Sequence, residues 1–317
     1  MKEDISQLVE QNLENINLEN PDYAVKEIQG GENNRIFEIS SENRRLIART
    51  SNKVSEDRIR HEAGILELLE KEEVENVPRK IFLEDSDLAG QPVLIETSVG
   101  TRDIEFSEMS REELRDFAEQ LARIHSITPD SYNRKFGKNE PKEASMEKEM
   151  GSNFEKYSRQ PYRNYMEMAD AVDPRVKDMF RRQKSIYGKL TEVNGKLPWR
   201  MVHGDPADNI RTDGRKVFII DWEFCRPGVP FFELIYTFRH NDVDREERQQ
   251  FLQYYRTFRD TSEIAEQNAD LWEKFLAFND MIWAAERKEK EKRAGGDVSE
   301  YEDLFEERMK ELEKLHR

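Results

Sequence analysis

The stretch VHGDPADNIRTDGRKVFIIDWE, Val202–Glu223, places two carboxylates and an amide where a chain gains little by having them. Asp205 sits in a Gly-flanked loop, Asn209 follows four residues later, and Asp221 closes an apolar run that reads as a buried strand. A desolvated carboxylate is costly unless something compensates its charge. Asp213-Gly214, between two strand-like runs, is the signal for a two-residue hairpin turn. Pairing outward from it sets Thr212 against Arg215 and Asn209 against Phe218. Asp221 then lies three residues beyond Asn209's partner, about 10 Å at ~3.3 Å per residue. The hairpin would still gather Asp205, Asn209 and Asp221 in one region. Neighbouring carboxylates repel unless a cation lies between them. Oxygen-only ligands suit magnesium, which takes one or two protein groups and completes its shell with substrate phosphates. Taken singly, each residue has a local reading, as a turn hydrogen bond or a strand cap. All three on one hairpin, after His203-Gly204, favour the cation.

The elements that must hold this hairpin follow from periodicity. Tyr23–Ile28, Arg35–Ser40 and Arg44–Thr50 read as strands, the first two bracketing the Gly/Asn turn QGGENN. A helix follows, opened by Ser55 as N-cap with no full capping box, and Ile59, Glu62, Leu66 and Leu69 share one of its faces. KIFLED and QPVLIETS supply two more strands, giving a small antiparallel sheet with one helix. Glu62 lies on an apolar stripe, and an inward carboxylate demands a partner. Arg49 on the preceding strand is the natural candidate, with Lys53 a weaker one. A half-exposed Glu62 at the stripe's edge is the alternative. Beyond Thr101 the pattern turns helical, with Leu114, Phe117, Leu121 and Ile124 on one stripe. Helices fill Glu143–Val193, with Pro161 and Pro174 as breaks. Long helices run from Asp244 onward, interrupted at Gly295-Gly296.

The chain has 317 residues, enough for two domains or one two-lobed unit. A hydrophobic share of 36% supports real cores, and a net charge of -16 argues against nucleic-acid binding, since phosphates are repelled before specific contacts form. The 51 Lys and Arg residues speak for mixed surface charge rather than salt adaptation. The N-terminus has no apolar core of a leader, and no window approaches the ~18 apolar residues of a membrane span. The single cysteine, Cys225, leaves no internal disulfide and reads as a packed thiol. No membrane association is expected, and the location reads as cytoplasmic.

HGDPADN followed by IDWE resembles the catalytic and metal-binding loops of the aminoglycoside phosphotransferase-like small-molecule kinases, protein-kinase-like proteins related to choline kinases. The resemblance covers roughly residues 23–240. It implies an α+β, bilobal protein-kinase-like fold: a nucleotide-binding lobe over residues 1–98, with a small antiparallel sheet and one main helix, and a large, mostly helical catalytic and substrate-binding lobe over residues 99–317. By the same resemblance Asp205 is the catalytic base, while Asn209 and Asp221 hold magnesium. Gly30 and Gly31 belong to the loop covering the nucleotide, although the full Gly-x-Gly-x-x-Gly is missing and a plain hairpin turn is the alternative. Arg49 stands where protein kinases have a lysine that contacts phosphates and pairs with a helix glutamate, here Glu62. Backbone groups of Glu96–Ser98 would bind the adenine of ATP, or the base of GTP. GVPFFEL follows the family's Gly-x-Pro-x-x-Asp-Leu with Glu233 in place of Asp, and is expected to brace the loops. His125 is expected to be a buried hydrogen-bonding residue.

The implied activity is transfer of the terminal phosphoryl group of ATP or GTP to a hydroxyl of a small molecule. Glu223, beside Asp221, is the expected substrate-facing carboxylate. Asp280 shares a helical stripe with Trp283, and Phe154, Tyr157, Tyr162 and Tyr165 lie in another acidic helical stretch. Carboxylates among aromatics would suit a cationic alcohol, whether an aminoglycoside, choline or another amine. The same aromatics also fit helix packing, and an ordinary metabolite is an equal candidate. Two other classes compete: a nucleotide-binding module without turnover, and a metal-dependent hydrolase built on His203, Asp205, Asp221 and His240.

Overall fold

The computed structural model describes residues 2–18, 22–28, 34–51, 56–84, 91–137 and 154–316. Gly30, Gly31, Lys53 and Ser55 lie outside the described residues, as does the first part of the expected helical stretch, 143–153. The class is α+β: an antiparallel five-stranded sheet near the N-terminus and a mostly helical remainder. By compactness the chain divides into two units, one of residues 1–138, 200–227 and 240–260, the other of 139–199, 228–239 and 261–317.

In the first unit, helix α1 (Lys2–Gln11) precedes β1 (Ala24–Ile28), β2 (Asn34–Ser40) and β3 (Arg45–Ser51). Helix α2 (Glu56–Lys71), β4 (Lys80–Glu84) and β5 (Val93–Thr97) complete the sheet, in the order β1-β2-β3-β5-β4. Alternation along the strands divides the faces. Val25, Phe37, Ile39, Leu46, Ala48, Val93 and Ile95 pack with Ile5, Leu8 and Val9 of α1. Arg49, Leu94 and Glu96 therefore project from the other face, where α2 supplies Glu62. The expected stripe of α2 is buried at Ile59, Glu62, Leu66 and Leu69. Strand β5 has neighbours on both edges and four buried residues, so any charge on it needs a partner inside the protein.

After β6 (Arg102–Asp103), helix α3 (Arg111–Ile124) starts at a capping box formed by Ser110 and Glu113, and its stripe Leu114, Phe117, Leu121 and Ile124 is buried. Helix α4 (Pro129–Phe136) and strand β7 (Arg200–Val202) lead to the hairpin of β8 (Ile210–Thr212) and β9 (Val217–Ile219). Two residues of α3, three apart and so on one face, hold that hairpin. Glu113 Oε1 accepts from the Thr212 hydroxyl (2.6 Å), and Asp116 Oδ2 accepts from the Val217 N–H (2.6 Å) and from Asn76 (3.4 Å).

The register corrects the two-residue turn. Thr212 faces Val217 and Arg211 faces Phe218, so the loop has four residues, Asp213–Lys216. Asp213 Oδ1 accepts from both Arg215 N–H (2.9 Å) and Lys216 N–H (2.8 Å), and the Thr212 hydroxyl accepts from Gly214 N–H (2.9 Å). An Asp-Gly pair can make a tight turn, but here the Asp side chain closes a wider one. The consequence is chemical: Asn209 now faces Ile220, whose N–H donates to the Asn209 carbonyl (3.0 Å). Asp221 is therefore the next residue after Asn209's partner, not the third.

The second unit is helical. A π-turn (Glu155–Arg159) runs into helix Gln160–Met168, and helices Pro174–Lys196, Pro230–His240, Ala269–Ala294 and Ser299–Leu315 follow. Pro174 opens its helix behind the N-cap Asp173, as expected of a break. Pro161 does not break its helix. It sits in the first turn after the π-turn, where a missing N–H is tolerated. Gly295, at φ 75°, ends the long helix in the left-handed conformation that glycine adopts without strain. Tyr165, Val176, Phe180, Phe278, Ile282 and Met309 form part of the core.

Asp213→Ala removes the acceptor that shapes the loop and is expected to cost about 1 kcal/mol, read as a lower urea midpoint at unchanged slope. An unaltered midpoint would mean that the flanking strands alone set the register.

Candidate active site

Arg49 is the hub. Its side chain is 4% exposed, between Glu62 at 0% and Glu96 at 3%. Nε donates to Glu96 Oε1 (2.9 Å), and Nη1 lies 3.3 Å from Asp221 Oδ1 and 3.7 Å from Glu62 Oε1. One buried cation thus faces three carboxylates. Burial first, and then the crowding of like charges, raises Glu62 from its ordinary carboxylate value to about 8. Burial raises Glu96 as well, against the lowering by Arg49. Arg49 itself is pushed up by the three anions despite its burial. Glu62 Oε1 also accepts from the Trp222 N–H (3.0 Å), so α2 holds the turn just past Asp221.

Asp221 stands at φ 65°, ψ 69°, the left-handed region that only Asn, Asp and Gly visit with any ease. Its carboxylate, 28% exposed, is the most open of the cluster. The loop bearing Asp205 is tied to the same strand by His203, which is fully buried. His203 Nδ1 accepts from the Asp205 N–H (3.2 Å), so the ring proton resides on Nε2, which donates to the Ile220 carbonyl (2.9 Å). The imidazole meets Trp222 edge-on, with centroids 4.5 Å apart. Gly204, at φ 94°, has no room for a side chain: a Cβ would lie 2.6 Å from the Phe224 carbonyl oxygen and 2.7 Å from Arg226 Nη1.

The donor set fits a magnesium ion. Asn209 Nδ2 donates to the Asp205 carbonyl (2.7 Å), which turns Oδ1, the amide's only cation-binding atom, away from that carbonyl. Asp221 Oδ1, Glu62 Oε2 and Glu96 Oε2 are buried without hydrogen bonds. Among the described residues no group of three or more His, Cys, Asp and Glu side chains could hold a metal by itself. Asn209 and Asp221 alone would leave most of the coordination shell to water and phosphate oxygens, the arrangement magnesium prefers.

The remaining expected site residues are distributed as follows. Glu223 has a side chain only 3% exposed: Oε1 accepts from Arg58 Nη1 (3.3 Å) and Oε2 from Asn34 Nδ2 (3.4 Å). Arg58 also lies over the Phe224 ring, 5.0 Å from its centroid. The Ser98 N–H donates to the Arg45 carbonyl (3.3 Å), and the Glu96 backbone pairs across β5 while its side chain serves Arg49. Asp280 belongs to the second unit and accepts from Arg239 Nε (2.7 Å), whose Nη2 donates to Glu311 (2.8 Å). Trp283 is 43% exposed, with the Arg287 guanidinium 5.4 Å over its ring. Phe154 stacks on Tyr187, Tyr162 stacks on Phe180, and Tyr165 is core, so three of the four aromatics pack helices. His125 is buried and bonded to the Tyr255 hydroxyl (2.8 Å), and Cys225 is buried.

Sequence reasoning missed the roles of four side chains. Glu96 was visible as a charge within the apolar run VLIET, on the strand face that Arg49 shares. Arg58 and Asn34 carried no signal of their own, because what they touch is set by register. His203 was noted beside Gly204 and as a member of a competing metal site, not as the tie between the Asp205 loop and Ile220.

A sheet whose strand cation meets a helix carboxylate, beside a hairpin bearing Asp and Asn, is a kinase-like architecture, and solved structures bear this out. A choline/ethanolamine kinase family protein from Mesorhizobium loti is similar at a TM-score of 0.63 and 13% identity, over 98% of this chain and 94% of that one. Choline kinase from Cryptosporidium parvum Iowa II gives 0.64 and 14%, over 99% and 96%. The streptomycin–ATP–APH(2″)-IIa ternary complex gives 0.59 and 16%, over 94% and 97%. No curated protein matches the chain in sequence. The chain belongs to the phosphotransferase enzyme family (APH), whose model matches residues 24–266. Among the described residues no helix is long and apolar enough to cross a membrane.

Two outcomes are expected here. His203→Ala removes the acceptor of the Asp205 N–H and the donor to the Ile220 carbonyl, and should cost about 2 kcal/mol or more of stability. Misplacement of the Asp205 loop should lower turnover at least tenfold; wild-type turnover in a destabilised variant would show that the loop is held elsewhere. The second concerns pH. Because folding raises Glu62, the folded state keeps a proton that the unfolded chain releases. The stability this lends is complete below the ordinary carboxylate range and is lost as pH rises through about 8. Glu62→Gln should flatten the melting temperature between pH 5 and 9, and a slope equal to the wild type's would refute the assignment.

Proposed function

We propose that the chain is a magnesium-dependent kinase that moves the terminal phosphoryl group of ATP or GTP to a hydroxyl of a small molecule. The observation that carries this reading is the joining of Arg49, Glu62 and Asp221 in one ion cluster beside the Asp205 loop. Such chemistry depends on positioning and electrostatics more than on covalent steps. Arg49 is held by anions with one guanidinium edge toward Asp221, fit to meet phosphate oxygens. Asn209 and Asp221 would hold the metal. Magnesium bound there would neutralise charge on the β- and γ-phosphates. Asp205 takes the proton of the acceptor hydroxyl as its oxygen bonds to the γ-phosphorus, the bond to the bridging oxygen breaks, and the nucleoside diphosphate leaves.

Residues 1–98, with Gly30 and Gly31 covering the phosphates and Glu96–Ser98 at the base, form the nucleotide lobe in this reading, and residues 99–317 the catalytic and acceptor lobe. Glu223 and Asp280 are the acceptor-side carboxylates. Each is already matched to an arginine, Arg58 or Arg239, so a cationic acceptor must compete with that arginine. A cationic alcohol, an aminoglycoside or choline is supported by what the similar structures are named for. The location in this reading is the cytoplasm, without membrane or nucleic-acid partners.

The test is consumption of magnesium-ATP and magnesium-GTP with aminoglycosides, amino alcohols, sugars and hydroxyacyl thioesters as acceptors. Asp205→Ala should lower turnover by about 10²–10⁴-fold with nucleotide affinity kept. Asp221→Ala should weaken magnesium-nucleotide binding itself. Equal activity in both variants and the wild type would sink the proposal.

A further inference from the structure

Beside the helix glutamate Glu62 and the hairpin's Asp221, the ion cluster holds one further carboxylate. That extra group is Glu96. Strands β3 and β5 pair so that Arg49 faces Leu94 and Ile47 faces Glu96, which makes Arg49 and Glu96 diagonal neighbours on one face of the sheet. Both side chains are almost wholly buried, and the bond between them runs from Nε to Oε1 at 2.9 Å. Nε is the donor that a lysine lacks. An ammonium is one point of charge at the end of a flexible chain, whereas a guanidinium carries its donors in a rigid planar fork. In this cluster the fork is divided: Nε goes to Glu96, and Nη1 points toward Asp221 and Glu62.

We propose that Glu96 is a positioning residue which, by gripping the Nε edge of Arg49, sets the guanidinium plane and allows an arginine to present its other edge to Asp221 and to nucleotide phosphates. Positions 49 and 96 are then a matched pair. Without Glu96, the buried Nε has no acceptor and the fork is free to rotate. With lysine at 49, the Glu96 carboxylate is left buried with no donor, a costly state. Removing both faults together restores a lysine that needs only Glu62 and Asp221. The inference rests on the phosphotransferase reading above and adds a residue whose side chain that reading leaves unused.

The experiment uses the full chain in four forms: wild type, Glu96→Leu, Arg49→Lys and the double variant. Magnesium-ATP affinity is measured by calorimetry, together with KM and kcat for ATP consumption. Glu96→Leu should weaken magnesium-ATP binding about tenfold, the worth of one charge-assisted hydrogen bond, with KM moving more than kcat. Arg49→Lys should lose at least as much. The double variant should bind better than either single one, which no loss of packing would produce. If Glu96→Leu does not fold, Glu96→Gln, which keeps the shape and one acceptor oxygen, takes its place and should show a smaller KM increase relieved by Arg49→Lys. Losses that simply multiply in the double variant would overturn the inference alone, as would wild-type affinity in the Glu96 variants. A wild-type chain that binds no magnesium-ATP would overturn the phosphotransferase reading and this inference with it.

Discussion

A guanidinium enclosed by three carboxylates and shielded from water is a demanding arrangement, and much of the first unit is organised around keeping Arg49 in it. The strand places Arg49 on the sheet face opposite α1, α2 brings Glu62, β5 brings Glu96, and the hairpin brings Asp221. A buried ion group of this kind is poor value as a source of stability. Desolvation cancels much of the attraction, while loss of one partner typically costs about 3–5 kcal/mol. Its worth lies in geometry. Four side chains from four segments can satisfy one another in few ways, and those ways fix how α2 meets the sheet and how the turn after Asp221 meets both.

The second constraint is the tie between the Asp205 loop and the strand that delivers Asp221. His203 spans the two, donating to Ile220 and accepting from Asp205, while Gly204 lets the loop pass against Phe224. Helix α3 holds both strands of the hairpin through Glu113 and Asp116. The loop and the turn are therefore set by backbone hydrogen bonds to buried side chains, and the acidic groups borrow their positions from that frame. Asp221 can then keep a left-handed conformation that a less restrained residue would leave.

Electrostatics and accessibility divide the site. The most buried members, Glu62 and Glu96, are raised by burial and hold the architecture. Asp221 is the carboxylate with an open side, and Asp205 and Asn209 lie on the loop beside it. Oxygen donors of this kind suit a hard cation such as magnesium. Glu223 and Asp280 are each tied to an arginine, so neither stands as a bare anion.

Much of this was legible without coordinates. The five strands, α2 with its stripe, and the late helices follow from periods of two and 3.6 residues, which depend only on local backbone geometry. The gathering of Asp205, Asn209 and Asp221 in one region was legible from the hairpin between them, and Glu62 because a charge on an apolar stripe must have a partner. Other features were not. Helix α1 drew no notice because its role is to cover one face of a sheet that had first to be assembled. The hairpin register was misjudged by two residues, since Asp213 could shape either turn and only the packing against α3 chose. Pro161 reads locally as a break, and a π-turn absorbs it. The side chain of Glu96 on Arg49, and Arg58 and Asn34 on Glu223, join residues that are 47 to 189 positions apart. Residue types and local periodicity determined which groups exist and which elements carry them; which groups touch was decided in three dimensions, because contact between distant segments depends on strand register and helix placement, and these minimise energy over the whole fold rather than over any stretch of chain.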